Sequence, residues 1–113
     1  MDCLFCKISE GAIPAKIVFE NERIVAFDDI NPQAPTHIQI IPRKHIATSL
    51  EVATEDRELM GEIIQTAAAL ARERGVADDG FRLVVNTNPA AGQSVYHLHV
   101  HLIGGRSLGW PPG

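Results

Sequence analysis

The chain has 113 residues, and its 45% hydrophobic and 21% charged residues are typical of one ordinary globular domain. Ten lysines and arginines against fourteen aspartates and glutamates give a formal net charge of −4 at pH 7. Because the sequence holds no run of basic residues that would follow a nucleic-acid backbone, long nucleic acids and anionic membrane surfaces are excluded as expected partners.

The sequence carries no pattern of a membrane segment or an export signal. Its longest apolar stretch, residues 66–71, is far shorter than the roughly 20 residues of a membrane span. The first residues include Asp2 and two cysteines, whereas a secretion signal has basic residues followed by a long apolar core. We therefore expect a cytoplasmic protein.

Two β-prone runs, residues 16–19 and 23–28, are the first predicted elements. The short turn between them predicts an antiparallel hairpin. Residues 29–35 contain two prolines, which remove hydrogen-bond donors and disfavour helix, so we predict a loop there that can bind a ligand. A third strand is predicted over residues 37–41, and a proline ends it.

One long helix is predicted over residues 55–74. Its apolar side chains recur at helical spacing and form one stripe: Leu59, Met60, Ile63, Ile64, Ala67, Leu70 and Ala71. Thr54 suits the N-cap position, and Gly75 can end the helix. Two further strands are predicted over residues 81–85 and 95–103. The expected fold is therefore α+β, with a helix packed on one face of an antiparallel sheet of about five strands.

Three histidines alternate with apolar residues in the last predicted strand. Successive side chains point to opposite faces of a strand, so His97, His99 and His101 share one face and the intervening residues face the core. Neighbouring imidazoles then lie about 6.6 Å apart along the strand. Three interpretations remain open from this pattern: polar positions of a half-exposed strand, ligands of a catalytic metal, or a nucleophilic imidazole that is neutral near neutral pH.

Residues 86–94 form a turn-rich segment that leads directly into the histidines. Small residues there can expose main-chain N–H groups, and the side chains of Gln93 and Ser94 can add donors, which suits a phosphate. The alternative is that the segment merely connects two strands of a hairpin.

Cys3 and Cys6 form a Cys-x-x-Cys pair, which in a reducing cytosol is either redox-active or half of a metal site. A thioredoxin-like redox motif follows a strand, and no strand is predicted before Cys3. From the spacing alone, zinc, redox chemistry and an incidental pair all remain open. His37 precedes a predicted strand and is interpreted as structural.

Five segments of the chain match the pattern of a known family: residues 13–16 (IPAK), 29–37 (DINPQAPTH), 41–46 (IPRKHI), 92–106 (GQSVYHLHVHLIGGR) and 110–113 (WPPG). Together they resemble the histidine triad (HIT) superfamily, and within it the histidine triad nucleotide-binding branch. The resemblance implies a single HIT domain over residues 1–113. Its HIT-like α+β fold would hold about five antiparallel strands, one long helix and one short N-terminal helix. The resemblance also implies a homodimer in which the sheets of two protomers join.

The resemblance further implies a hydrolase that binds a purine nucleotide or nucleoside phosphoramidate. It would break a P–N bond through a covalent nucleotidyl-histidine and release the nucleoside monophosphate. Two alternatives stand beside this one. The first is hydrolysis of dinucleoside polyphosphates or adenylylated compounds, and the second is a nucleotide-binding scaffold whose catalytic activity is incidental.

The resemblance assigns roles to four residues of the reaction. His99 would attack phosphorus, the carbonyl of His97 would orient it, and His101 would bond a phosphate oxygen. Ser94 would stabilise the phosphate or help to protonate the leaving amine. Further implied nucleotide contacts are Asp29 for the ribose, Ile30 and Phe27 for the base, and Asn86, Gly92 and Gln93 for the phosphate.

Zinc is the cofactor that the resemblance implies. The matching ligands in this chain are Cys3, Cys6, His45 and His97. Two thiolates and two imidazoles would close a tetrahedral site, so the zinc would be structural and no catalytic metal is expected.

Overall fold

A computed structural model describes residues 2–113 of the chain. In chain order these residues form two α-helices and five strands: α1 (Leu4–Ser9), β1 (Ile17–Glu20), β2 (Ile24–Asp28), β3 (Thr36–Pro42), α2 (Arg57–Glu73), β4 (Phe81–Val84) and β5 (Val100–Gly104). Across residues 2–113, no helix combines the length and the apolar character that crossing a membrane requires.

The five strands form one antiparallel sheet in the order β1-β2-β3-β5-β4. The predicted hairpin of β1 and β2 is confirmed, and β3 and β5 are central neighbours although about 60 residues separate them in sequence. In their register Gln39 lies opposite His101, and His37 lies opposite Ile103. This pairing brings the loop before β3 beside the histidine segment.

The long helix α2 covers one face of the sheet. Its buried residues are Leu59, Ile63, Thr66, Ala67, Leu70 and Ala71. They pack against strand residues that include Ile38, Ile40 and Leu102, which are fully buried. The predicted apolar stripe and the α+β class are therefore confirmed, except that Ile64 is half-exposed.

The short helix α1 covers part of the opposite face. Phe5 and Ile8 of this helix form a second apolar cluster with Val25, Phe27 and Ile41 of the sheet. Because side chains alternate along a strand, β2 contributes Phe27 to this cluster and its neighbour in sequence, Ala26, to the core beneath α2.

Helix α2 begins at Arg57, two residues later than predicted, because a 3₁₀ turn (Thr54–Asp56) precedes it. Thr54 opens this turn, so the prediction that it caps the helix was wrong. The Asp56 carboxylate accepts bonds from the Ala53 N–H at 2.9 Å and the Lys44 ammonium at 2.6 Å, which anchors the turn. Gly75 follows the helix with a positive φ of 73°, as predicted.

Strand β5 begins at Val100, so the predicted strand over residues 95–103 was too long at its start. The Leu98 N–H donates to the Ile46 carbonyl at 2.6 Å, and the His97 Nε2–H donates to the Pro42 carbonyl at 2.7 Å. The end of β3 and the segment after it therefore hold residues 97–98 through these two bonds, and regular strand pairing begins only at Val100.

Candidate active site and metal centre

His99 is held in one orientation by its own main chain. Its Nδ1 lies 2.8 Å from the main-chain carbonyl oxygen of His97. A carbonyl oxygen only accepts hydrogen bonds, so Nδ1 carries the proton and Nε2 of the neutral ring keeps its lone pair. His99 is 7% exposed. The arrangement therefore presents a nitrogen nucleophile with a defined tautomer.

Phe5 supports the imidazole of His99 from helix α1. The two rings meet edge to face with their centroids 5.1 Å apart and an interplanar angle of 83°. Phe5 also lies 6.1 Å from the ring of His97 and 5.4 Å from that of Phe27. Sequence reasoning missed Phe5, and its place between the two cysteines was the available signal.

His37, which the sequence interprets as structural, contacts His101 of the histidine segment in the structure. The main-chain N–H of Gln33 donates to His37 Nδ1 at 3.0 Å, which requires the proton of the neutral ring to sit on Nε2. His37 Nε2 lies 2.9 Å from His101 Nδ1 and donates to it. The Nε2–H of His101 is then left to donate to a ligand. The chain of bonds fixes the tautomers of both rings.

Asp29, His37 and His101 could be taken for a second metal site, since their ligand atoms lie within 4.8 Å of one another. The hydrogen bonds argue against that interpretation. A metal on His37 Nε2 would need the ring proton on Nδ1, where it would face the N–H of Gln33. This cluster is therefore a hydrogen-bonded network.

Burial keeps His101 neutral. Burial first, and then the neighbouring rings of His99 and His37, lower the pKa of His101 from 6.5 to about 4, while Asp29 opposes them. The pKa of His97 is also lowered, first by burial. At neutral pH His101 is therefore a hydrogen-bond donor without a positive charge.

The lowered pKa of His101 predicts a loss of stability in acid. The unfolded chain takes up this proton near pH 6.5 and the folded chain only near pH 4, so the unfolding free energy falls as pH drops across that window. We expect a smaller slope in a His101→Gln variant, measured by urea unfolding across the same window. Equal slopes in the two zinc-loaded proteins would contradict the prediction.

Removing the donor of His37 is predicted to slow the reaction proposed below. In a His37→Leu variant the Nδ1 atom of His101 loses its donor, and we expect kcat to fall about 100-fold with a smaller change in KM. His37→Gln keeps an N–H donor and is expected to recover part of the loss. If His37→Leu lowered Tm but left kcat and its pH profile unchanged, His37 would have a structural role only.

Asp29 lies in the predicted ligand-binding loop between β2 and β3. Its Oδ1 accepts the Asn31 N–H at 2.8 Å, and its Oδ2 accepts the Gln39 side-chain amide at 2.8 Å. These bonds orient the carboxylate, whose side chain remains 14% exposed. Of the two residues expected at the base, Ile30 is fully exposed, whereas Phe27 is buried against Phe5.

The turn-rich segment before the histidines is shaped by Gln93. Its amide donates to the carbonyls of Ala47 and Val95 at 2.9 and 3.1 Å, and its Oε1 accepts the Asn88 N–H at 2.8 Å. Both side-chain N–H groups of this buried glutamine are therefore occupied. These bonds hold the loop closed, and the contact of Gln93 with phosphate stays a prediction.

The other predicted phosphate contacts are more accessible. Gly92 follows a short turn with a φ of 87°, and a Cβ there would meet nothing within 4 Å. Asn86 is half-buried. Ser94 is exposed and lines a surface cavity of about 350 Å³ together with Cys3 and His45. These residues are open to a ligand, and their roles stay predictions.

Cys3, Cys6, His45 and His97 converge at the N-terminal side of the histidine segment. His97 Nδ1 lies 3.4 Å from Cys3 Sγ, 3.6 Å from Cys6 Sγ and 3.3 Å from His45 Nδ1. His45 Nδ1 lies 3.4 Å from Cys6 Sγ. Tetrahedral zinc with bonds of about 2.0 Å to nitrogen and about 2.3 Å to sulfur has ligand atoms about 3.3–3.8 Å apart, so the donor set fits zinc.

The surroundings of the cluster also fit a cation. His97 Nε2–H donates to the Pro42 carbonyl, which leaves the Nδ1 lone pair facing the sulfurs. Burial, with Cys3 beside it, raises the pKa of the Cys6 thiol, so a positive ion is needed to keep this sulfur as a thiolate. The predicted structural zinc site is thus supported by its own donors.

The fold and the site together define the histidine-triad class: an antiparallel sheet that carries an oriented imidazole beside a Cys₂His₂ cluster. The comparison with known families agrees. Residues 10–108 match the family model described as "HIT domain", and the chain belongs to this family.

Known proteins similar to the chain include enzymes and zinc-binding proteins. The purine nucleoside phosphoramidase of Escherichia coli strain K12 is 48% identical over 108 residues, which cover 96% of this chain and 91% of that protein. The 14 kDa zinc-binding protein of Zea mays is 49% identical over 112 residues, covering 97% and 87%. A crystal structure of a HIT family hydrolase from Legionella pneumophila superposes with a TM-score of 0.98, at 55% identity, and covers 99% of this chain and 100% of that one.

Proposed function

We propose that this HIT-family hydrolase is a purine nucleoside phosphoramidase, which releases a nucleoside monophosphate from a P–N substrate. The observation that carries the proposal is the single hydrogen bond from His99 Nδ1 to the His97 carbonyl, which leaves Nε2 as the nucleophile. The similarity to the Escherichia coli phosphoramidase supports the choice of substrate.

The proposed reaction has two steps. In the first, His99 Nε2 forms a bond to the α-phosphorus, the P–N bond breaks, and the amine leaves with a proton that Ser94 helps to supply. In the second, water attacks phosphorus and its proton restores the hydroxyl of Ser94, the bond to His99 breaks, and the monophosphate is released. His101 Nε2–H donates to a non-bridging phosphate oxygen in both steps, and the Asp29 carboxylate accepts from the ribose hydroxyls.

Zinc supplies no step of this reaction. When bound by Cys3, Cys6, His45 and His97, it would tie the start of the chain to the histidine segment and hold His97, whose carbonyl orients His99. Those four ligands close a tetrahedron without a position for substrate. The zinc is therefore structural.

The proposal is tested by ranking kcat/KM over a panel of substrates. We expect an adenosine phosphoramidate to release AMP with the highest value, ahead of diadenosine polyphosphates and acyl-adenylates. A preference for a polyphosphate would assign the site to that alternative reaction. Binding of AMP without turnover of any member would favour a nucleotide-binding scaffold.

We also propose that two copies of the chain form a homodimer through the β4 edge of the sheet. The residues of β4 are only half-buried, and Val85 directly after it is exposed. Trp110, in the tail that follows β5, is 85% exposed, and contact of so large an aromatic side chain with water is unfavourable. Sedimentation equilibrium should give twice the chain mass of 12.3 kDa, and a single-chain mass at high concentration would reject the dimer.

We place residues 1–113 in the cytoplasm as a single HIT domain. A reducing compartment keeps Cys3 and Cys6 available as thiolates for zinc. Fractionation of cells that express the chain should recover it with a cytoplasmic marker.

A further inference from the structure

We propose that Cys3 and Cys6 form an oxidation-sensitive site: a peroxide converts the two zinc-bound thiolates into a disulfide, zinc leaves, and His99 loses its orientation. The proposal concerns the thiol pair and its link to the nucleophile. It rests on the proposed function only where hydrolysis is used as a readout.

The two cysteines are placed so that a disulfide can form locally. Cys3 precedes α1 and Cys6 lies in its first turn, and the Cys6 N–H donates to Cys3 Sγ at 3.4 Å. The two sulfurs belong to one cluster whose ligand atoms all lie within 4.8 Å of one another. A disulfide between residues three apart therefore requires no movement of the sheet.

A small oxidant can reach the pair from solvent. Cys6 is only partly buried, and Cys3 lines the surface cavity of about 350 Å³ that it shares with His45 and Ser94. Thiolates react with peroxides, whereas thiols buried in apolar surroundings are inert. Cys3 itself is buried, but zinc keeps its sulfur as a thiolate beside a cavity that a small oxidant can enter.

The redox step balances with hydrogen peroxide as the oxidant. The two thiolates give up two electrons and form one S–S bond, while the O–O bond of the peroxide breaks and yields two hydroxide ions. A disulfide has no thiolate to offer, so the ion keeps only the imidazoles of His45 and His97 and is released. A thiol reductant followed by zinc reverses the change.

Loss of zinc changes the bonds that hold the His97 ring. The Nδ1 atoms of His45 and His97 lie 3.3 Å apart, and the His97 lone pair faces its neighbour because its proton is on Nε2. Without the cation, the tautomer of His45 that carries its proton on Nδ1 donates to His97, and this single hydrogen bond replaces the two bonds to the ion.

Two contacts hold the imidazole of His99, one with the His97 carbonyl and one with the Phe5 ring, and both involve residues in or beside the zinc cluster. The carbonyl of His97 accepts the Nδ1–H of His99 at 2.8 Å, and His97 is itself a zinc ligand. Phe5, whose ring contacts His99 at 5.1 Å between centroids, lies between the two cysteines in sequence. Movement of His97 and of the first turn of α1 therefore disturbs both contacts at once.

The test uses the zinc-loaded full chain, titrated with hydrogen peroxide. We expect about one zinc per chain to be released for each pair of thiols lost, seen with a chromogenic chelator and by an intact mass lower by two hydrogens. The imidazole nitrogen resonances of His99 should change together with zinc release. Hydrolysis should fall about 10- to 100-fold and return after reductant and zinc are added.

Two variants control for other damage. Cys6→His keeps four zinc donors but removes the disulfide partner, so peroxide should not release its zinc. If this variant binds no zinc, a second comparison replaces it. Wild type from which a chelator has removed zinc must then show the same His99 resonances as oxidised wild type. Met60→Leu removes a competing sulfur and should respond to peroxide like wild type.

Three results would overturn the inference. Zinc could stay bound after both thiols are oxidised, zinc could be released without any change at His99, or Cys6→His could lose zinc as fast as wild type. A protein that hydrolyses no phosphoramidate before oxidation would instead reject the proposed function, while zinc release and the His99 resonances would still decide the inference.

Discussion

Replacing His99 by alanine is expected to lower kcat for AMP release from an adenosine phosphoramidate by about 10⁴-fold or more, because neither neighbouring histidine can replace its Nε2. The lone pair of His101 is bonded to His37, and that of His97 faces the cysteines. His99 Nδ1–H is bonded to a carbonyl, so the ring reacts through Nε2 without first losing a proton. Rapidly quenched wild type should carry an added nucleotidyl mass, and the His99→Ala variant should carry none.

The same experiment needs a control that leaves the site intact. Tyr96 lies three residues earlier and is 42% exposed, so Tyr96→Phe should keep a kcat close to that of the wild type. His99→Ala should also keep the zinc stoichiometry of the wild type, since His99 is not a zinc ligand. Turnover by His99→Ala at a rate near the wild-type value would exclude His99 as the nucleophile.

Removing zinc is expected to have the largest effect on stability. Ligand binding to the folded state alone contributes about 4 kcal/mol when free zinc is 1,000 times its Kd, which for a domain of this size corresponds to a Tm lowered by about 15 °C. The effect arises because the four ligands lie in three separate parts of the chain: the first turn of α1 with the residue before it, the segment after β3, and the histidine segment. Bound zinc ties these three parts together.

Metal analysis and thermal unfolding test this expectation together. Wild type should hold about one zinc per chain, and a Cys3→Ser, Cys6→Ser variant should hold none and melt at the lowered Tm in the presence or absence of a chelator. Cobalt substitution should give the absorption bands of a tetrahedral site with sulfur ligands. An unchanged Tm after complete removal of zinc would show that apolar packing alone holds α1 on the sheet.

The long helix and the histidine alternation could be predicted because both are local periodic patterns. The apolar spacing in α2 and the alternation around His99 each state which face of an element is buried, and burial of that face is the dominant favourable term in folding. The end points were less predictable. The start of α2 depends on Asp56, which Lys44 holds from the segment after β3, and the start of β5 depends on a bond from Leu98 to Ile46. Both contacts join residues that are not neighbours in sequence.

The role of His37 could not be predicted because it depends on strand order. A histidine at the start of a strand has no partner until β3 is known to pair with β5, in the register that sets Gln39 opposite His101. Only then does His37 Nε2 lie within bonding distance of His101. Gln93 is the converse case, because both N–H groups of a side chain expected to hold phosphate donate to main-chain carbonyls. One carbonyl belongs to the nearby Val95 and the other to the distant Ala47.

The sequence by itself determined the chemical groups of this protein: three alternating imidazoles, a Cys-x-x-Cys pair and a helix with one apolar face. Their identity and spacing limit the chemistry, because local geometry alone decides which side chains share a face. Only the tertiary structure decided the tautomers, the convergence of the four zinc donors and the support of His99 by Phe5. Hydrogen-bond partners and metal geometry join residues far apart in sequence, and folding alone brings such residues within bonding distance.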